Sequence, residues 1–393
     1  MGIRAGVQIL LAGFCSQLLC LGIARFAYTP LIPLMQPAGL NEWLAGLLAA
    51  LNYVGYFAGA LLAVRLSQWQ WKFYAYRCGL VLAVVTTLAM GLSDNPLIWG
   101  LSRFFAGLSA AASMLLASGL ILHQLKQHGR PAELGLHFAG LGLGIALVAV
   151  AVELCSQLGL SWQAQWNSLA ALSLLLVIPA WCWLPAPKHA SSQAIATQKP
   201  VIDPLLLRGL YLMYFCAGYG YVVTVTFIVS MAKQDAALSG GANWAFAVLG
   251  LAAAPATLVW DRIARRQGYL PSLRLALAIN TFAIVLPALW AAPWSLMLSA
   301  LLFGGSFIGC VSLMLTLAGR LYPDKPAQLM GKMTLCYGTA QVVAPAFSGW
   351  LAAASGDFHS SLIVAGGIAA LGVLILSWLV RRTAIDHLAM RRE

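Results

Sequence analysis

Pro185-Ala186-Pro187-Lys188-His189-Ala190-Ser191-Ser192-Gln193-Ala194-Ile195-Ala196-Thr197-Gln198-Lys199-Pro200-Val201-Ile202-Asp203-Pro204-Leu205 is the one long polar stretch inside this chain of 393 residues, and it falls near the middle. Four prolines among Ser, Gln and Lys cannot continue a helix and need not pack, so the segment reads as a linker. On either side of it the sequence breaks into apolar runs of about 20 residues, the length that crosses a bilayer as a helix. The runs lie near 6–35, 42–64, 73–92, 96–122, 133–156 and 163–184 before the linker. After it they lie near 206–231, 242–260, 271–290, 293–318, 328–353 and 360–380. The expectation is an all-α polytopic membrane protein of about twelve transmembrane helices, with a six-helix bundle over 1–184, a cytoplasmic linker over 185–205 and a second six-helix bundle over 206–393 that ends in a short basic tail.

Composition supports this. Hydrophobic residues make up 61% of the chain and charged residues only 9%, against about 25% charged in an ordinary soluble domain. The net charge of +12 would suggest a nucleic-acid partner if the cations formed one face, but they sit in the breaks between runs. With the first residues inside, twenty Lys and Arg fall on the cytoplasmic side and only Lys233 outside, with Arg25 and Arg103 left within runs. That asymmetry predicts cytoplasmic N- and C-termini in a bacterial inner membrane. The apolar stretch after Arg4 is too long for a signal-peptide core and is read as the first span.

Eight Cys residues are scattered with no CxxC pair, and no His/Cys/Asp/Glu spacing suits a metal. No Walker A loop, GxSxG elbow or paired carboxylates within the runs appear either, so neither cofactor nor enzyme chemistry is expected.

The halves resemble each other. Arg130-Pro131-Ala132-Glu133-Leu134 leads into the fifth run and Lys325-Pro326-Ala327-Gln328-Leu329 into the eleventh. Phe105, Gly107 and Ala111 pair with Phe303, Gly305 and Gly309, and Gly55 with Gly250. This is the trace of a duplication that places two bundles about a pseudo-twofold axis.

Several strings carry a family resemblance. Asp261-Arg262-x-x-Arg265-Arg266 follows the eighth run, with Val64-Arg65 as a degenerate counterpart after the second. Arg103-x-x-x-Gly107-x-x-x-Ala111 lies in the fourth run, Gly140-x-Gly142-x-Gly144 in the fifth, and Gly338-x-x-Gln341-x-x-x-Pro345-x-x-x-Gly349 in the eleventh. Most specific are Arg25-Phe26-Ala27-Tyr28-Thr29-Pro30-Leu31-Ile32-Pro33-Leu34-Met35 and Gly218-Tyr219-Gly220-Tyr221-Val222-Val223-Thr224-Val225-Thr226-Phe227. Together they resemble the major facilitator superfamily, and within it the YbfB/YjiJ branch. The resemblance implies a monomeric secondary transporter whose first and seventh helices line a central cavity, with export slightly favoured and a proton gradient as the energy source. The fifth run lacks the Gly-Pro pair of the drug-antiporter branches.

Candidate substrate contacts are Arg25, Tyr28, Asn52, Tyr56, Arg103, Tyr219, Tyr221, Thr224 and Gln341. An Arg within a span is costly unless it meets a partner or a wet cavity. Arg103 is therefore either a cavity residue or an Arg tied to backbone carbonyls. Two Arg with few acids favour an anionic solute. Glu153, at the edge of the fifth run, is the candidate proton carrier or else an outer-end residue facing water. Asp261, Arg262, Arg265 and Arg266 form either a gating loop or a plain helix-end charge pair. An uncoupled facilitator and a membrane sensor using the same cavity are the alternatives to a coupled transporter.

Overall fold

The computed structural model describes residues 2–128, 134–187, 203–322 and 326–390. Four residues of the first pentapeptide, Lys325 of the second, most of the linker and several of the counted cations lie outside the described residues. The helices are α1 (Gly6–Ala38), α2 (Glu42–Arg65), α3 (Trp69–Leu92), α4 (Pro96–Leu125), α5 (Gly135–Gln157) and α6 (Trp162–Cys182). They continue with α7 (Pro204–Gln234), α8 (Asn243–Ala253 and Ala256–Gln267), α9 (Tyr269–Leu289), α10 (Pro293–Leu321), α11 (Pro326–Ser355) and α12 (His359–Arg382).

Among the described residues, ten of these are long and apolar enough to cross a membrane, and the two pieces of α8, bent by 43°, make an eleventh if taken as one span. The expected twelfth is α11, which has the length, 30 residues, but is diluted by Tyr337, Gly338, Thr339 and Gln341. A helix that packs among other helices does not need a lipid-compatible surface all round. The bend in α8 sits at Pro255, which lacks an N–H and crowds the preceding turn.

Local signals set the helix starts. Asn41, Asn95, Ser161 and Asp203 each accept a hydrogen bond from a first-turn N–H, and Pro96 and Pro204 stand at the first position of α4 and α7. Short turns make successive helices antiparallel. One face of the bundle, here the terminal face, carries the start of α1 and the end of α12; the opposite, distal face carries the α1–α2 and α7–α8 turns.

Burial separates an inner from an outer set. The most apolar window of α7 is 89% buried and that of α1 67%, against 33% for α6 and α12. In the first half α2 packs on α4, α3 on α6 and α1 on α5. In the second α9 packs on α10, α7 on α11 and α12, and α8 on α10. The halves meet through α2 on α11, α5 on α8 and α1 on α7.

Glycines permit the tightest crossings. A Cβ on Gly107 would strike the Asn52 carbonyl of α2, and one on Gly304 would strike the Leu249 carbonyl of α8. The sequence had paired Gly107 with Gly305, which has nothing within 4 Å, and Phe105, 39% exposed, with the fully buried Phe303. The contacts thus place the repeat one residue away from the sequence match. Gly55 and Gly250 also differ in role: Gly55 packs on α4 of its own half, whereas Gly250 meets Gly142 and Ala146 of α5 across the halves.

Candidate functional site

The centre of the molecule is organised by an irregularity in α1. From Leu18 to Phe26 the helix widens into π turns before resuming at Tyr28, ahead of Pro30 and Pro33. A wide turn leaves carbonyls without their usual helical donors, and such turns are common at functional sites. Here the donors come from α4: Arg103 Nη1 donates to the Ala24 carbonyl (2.9 Å) and Nη2 to the Arg25 carbonyl (3.0 Å). Its guanidinium also lies 4.5 Å from the centre of the Tyr28 ring. The Asn52 side-chain amide in turn donates to the Arg103 carbonyl (2.9 Å). Arg103 is 3% exposed, and both ends of its fork are bound to main chain. Of the two roles the sequence left open, the geometry matches the structural one. Tyr28, whose hydroxyl donates to the Ala45 carbonyl (3.0 Å), belongs to the same frame.

Arg25 is different. It is 6% exposed, its Nε, like that of Arg103, has no hydrogen-bond partner, its side chain bonds to Tyr53, and no carboxylate pairs with it among the described residues. Rings surround it instead: Tyr53 at 4.5 Å, Tyr56 at 4.9 Å and Phe26 at 5.2 Å from the guanidinium carbon. At about 0.5 to 2 kcal/mol for each cation–π contact, these offset much of the roughly 3 kcal/mol that a cation costs at a helix centre on insertion scales. The unpartnered Nε–H still faces inward. Arg25, Asn52, Tyr53 and Arg103 share a void of about 10 Å³ with Thr226 and Val225 of α7, which is room for about one water.

Among the described residues, the second half brings rings and no charge to this centre. Tyr221 of α7 is an electrostatic neighbour of Arg25 and stacks on Phe307 of α10 at 5.1 Å; Tyr337 of α11 lies 5.8 Å from Tyr221 and 4.6 Å from Tyr214. Thr224 is buried with no partner for its hydroxyl, and Tyr219 and Gln341 are buried in α7 and α11. Sequence reasoning missed Tyr53, Tyr214, Phe307 and Tyr337. Tyr53 and Tyr56 are three apart and Tyr214 and Tyr221 seven apart, spacings that put each pair on one helix face.

Toward the distal face the halves are sealed. α1 is buried without interruption from Ser16 to Ile32 and α7 from Cys216 to Ser230, whereas both show exposed positions nearer the terminal face. Thr29 Oγ1 donates to the Val225 carbonyl (2.9 Å), joining α1 to α7. Glu153 of α5 is 4% exposed and accepts from Asn243 of α8 (3.0 Å) and from Gln157 (3.3 Å). It is therefore neither a residue facing open water nor a partner of Arg25 or Arg103. It lies beneath a distal pocket of about 230 Å³ that also touches Pro30, Pro33, Lys233 and Ser239.

The charged segment after the eighth run is not a loop. Asp261, Arg262, Arg265 and Arg266 continue α8, and Asp261 pairs with Arg265 one turn on, both side chains well exposed. The pair links neither half to the other.

Among the described residues twelve helices form two packed sets that meet along α1 and α7 around buried polar groups, and the family model that this chain matches makes it a polytopic membrane transporter of the major facilitator type. The chain belongs to the family described as uncharacterised MFS-type transporter YbfB, whose model matches residues 17–377. Its fold is similar to a mutant form of the nucleoside transporter NupG, with a TM-score of 0.78 at 14% identity over 95% of this chain and 99% of that one. It is also similar to the D-xylose-proton symporter, with a TM-score of 0.74 at 15% identity over 94% and 97%. Among curated proteins, the MFS-type transporter hepF of Aspergillus oryzae is 28% identical over 106 residues, which is 27% of this chain and 22% of that protein's length.

Proposed function

We propose that this protein moves a small organic anion across a bacterial inner membrane by alternating access, coupled to protons. Residues 1–184 and 206–393 act as the two rocking bodies, the linker 185–205 joins them on the cytoplasmic side, and a monomer suffices. The charge bias of the breaks supports cytoplasmic termini, which makes the sealed distal face the outer one. The observation that carries the reading is Arg25: a cation buried where α1 meets α7, ringed by aromatics, with a free donor and no carboxylate partner among the described residues. A solute carboxylate there would gain charge-assisted hydrogen bonds that no described carboxylate supplies.

Glu153 is the proton carrier in this scheme. It is the buried acid at the contact between α5 and α8, so its charge state bears on whether that contact holds. Its placement under the distal pocket gives it a route to outside water. Export is the direction to examine first.

Counterflow in proteoliposomes, with an organic-anion panel identified by thermal stabilisation, tests the proposal. Labelled solute should exchange against unlabelled solute in the wild type and not in Arg25→Gln, and a pH gradient should drive net uptake in the wild type and not in Glu153→Gln. Binding without exchange would make the protein a sensor, and exchange without a response to the pH gradient would make it a facilitator.

A further inference from the structure

We infer that the solute held at Arg25 is a flat monoanion, an aromatic or conjugated carboxylate, clasped between the ring wall of the first half and that of the second. This rests on the reading of the Arg25 region as the solute site and narrows it in charge and in shape.

Charge sets the first limit. Two cations are buried at the centre, but both ends of the Arg103 fork are bound to the carbonyls of Ala24 and Arg25. Its position serves to hold the wide turn. Arg25 keeps an unpartnered Nε and has no acidic partner among the described residues. A carboxylate that displaces the Tyr53 hydroxyl from Arg25 and takes the unpartnered Nε would meet a two-donor edge, which holds one carboxylate by two parallel hydrogen bonds. Arg103 also keeps an unpartnered Nε, but with both Nη atoms on carbonyls it has a single donor left, so a second carboxylate would find no second two-donor edge, and a neutral solute would leave the Arg25 charge uncompensated.

Shape sets the second limit. The rings of Tyr53 and Tyr56 have their centres 4.5 and 4.9 Å from the guanidinium carbon, so the cation is held against a ring wall. Across the interface, Tyr221 and Phe307 stack nearly parallel, 24° apart with centroids 5.1 Å from each other. Tyr337 lies at 5.8 Å from Tyr221. Ring faces favour offset stacking with other π systems. The void beside Arg25 holds about 10 Å³ and is closed on the α7 side by Val225 and Thr226, so entry of a solute requires α1 and α7 to part. A planar body needs the smallest separation and meets a ring face on both sides, whereas a puckered ring of equal mass needs more room and stacks on neither.

The experiment is calorimetric titration of the purified full-length protein with four probes: benzoate, cyclohexanecarboxylate (same charge, puckered ring), benzamide (flat, neutral) and phthalate (flat, dianionic). Benzoate should bind at least tenfold more tightly than each of the other three. Tyr221→Leu should bring benzoate down to the level of cyclohexanecarboxylate and leave cyclohexanecarboxylate unchanged. Arg25→Gln should weaken benzoate binding about a hundredfold, and Arg25→Lys, which keeps the charge without the fork, should lose less, which guards against mistaking misfolding for loss of the site. Equal binding of benzoate and cyclohexanecarboxylate, with both weakened in Arg25→Gln, overturns the flat-anion inference and leaves the Arg25 site intact. Equal binding of benzamide and benzoate, or benzoate binding undiminished in Arg25→Gln, overturns the site assignment as well. No binding of any probe at millimolar concentration overturns the proposed class.

Discussion

α1 and α7 occupy matching places in the two halves and are built from opposite materials. α1 carries a widened stretch, two prolines and a buried Arg. α7 runs unbroken for 31 residues, buried without interruption from Cys216 to Ser230, and offers hydroxyls and rings but no charge in that stretch. The two halves share a scaffold and differ in chemistry. In the proposed scheme one helix holds the cation that would distinguish solutes by charge, and the other presents the surface that would distinguish them by shape. Placing the charge in one half only also avoids two like charges facing each other across a closing interface, a repulsion that is strong where water is excluded.

The contrast is most sharply broken at Arg25. Arg25→Gln should lower solute affinity by about two orders of magnitude, on the order of 3 kcal/mol for a desolvated charge pair, whereas Thr224→Val on α7 should cost less than tenfold. Titration of both variants with a bound solute checks this, and equal losses would erase the division of labour.

The repeat itself supplies the next test. Gly107→Ala and Gly304→Ala each push a methyl into the carbonyl of a neighbouring helix and should each destabilise the fold by about 1 to 3 kcal/mol, the usual cost of overpacking. Gly305→Ala meets nothing within 4 Å and should be neutral or slightly stabilising, since Ala favours helix over Gly. Thermal unfolding in detergent would decide, and a damaging Gly305→Ala with a harmless Gly304→Ala would restore the pairing drawn from sequence.

At the seal, Asn243→Ala removes a donor from the buried Glu153 carboxylate and should shift the balance away from the distally closed state by about 1.5 to 3 kcal/mol, the value of a hydrogen bond to a charged group. Spin-label distances between the distal ends of α5 and α8 should lengthen. The smallest effect belongs to Thr29→Val, which keeps the shape and removes the bond to the Val225 carbonyl. It should loosen the α1–α7 contact by about 1 kcal/mol, and no change in the same distance measurement would assign the seal to helix packing alone.

Hydropathy made the helices legible because length and apolarity are what a bilayer demands of each span, and α11 fell short because protein neighbours replace lipid around much of it. Arg25 and Arg103 stood out in the sequence for the same reason, as cations in apolar runs. Their different roles were not legible, since only the widened turn in α1 creates the carbonyls that occupy Arg103, and nothing in Leu18–Phe26 announces a wide turn. The sequence left Glu153 between a proton carrier and an outer-end residue facing water because its partner, Asn243, is 90 positions away. The aromatic wall was hidden in the ordinary abundance of Tyr and Phe in membrane helices, where spacing alone does not separate a ring that faces a cavity from one that fills a gap.

The widened stretch of α1 has a geometric consequence of its own. It is a dislocation in an otherwise regular rod, holding more backbone per turn than an α-helix does. Converting one wide turn to ordinary helix changes the register by a residue, which rotates everything beyond it by about 100° about the axis. Arg25 sits on the last turn of the stretch, so its side chain can be turned from the interface toward a neighbouring helix by a rearrangement that breaks no transmembrane segment. Arg103, gripping the carbonyls of Ala24 and Arg25, is placed to fix where that dislocation stops.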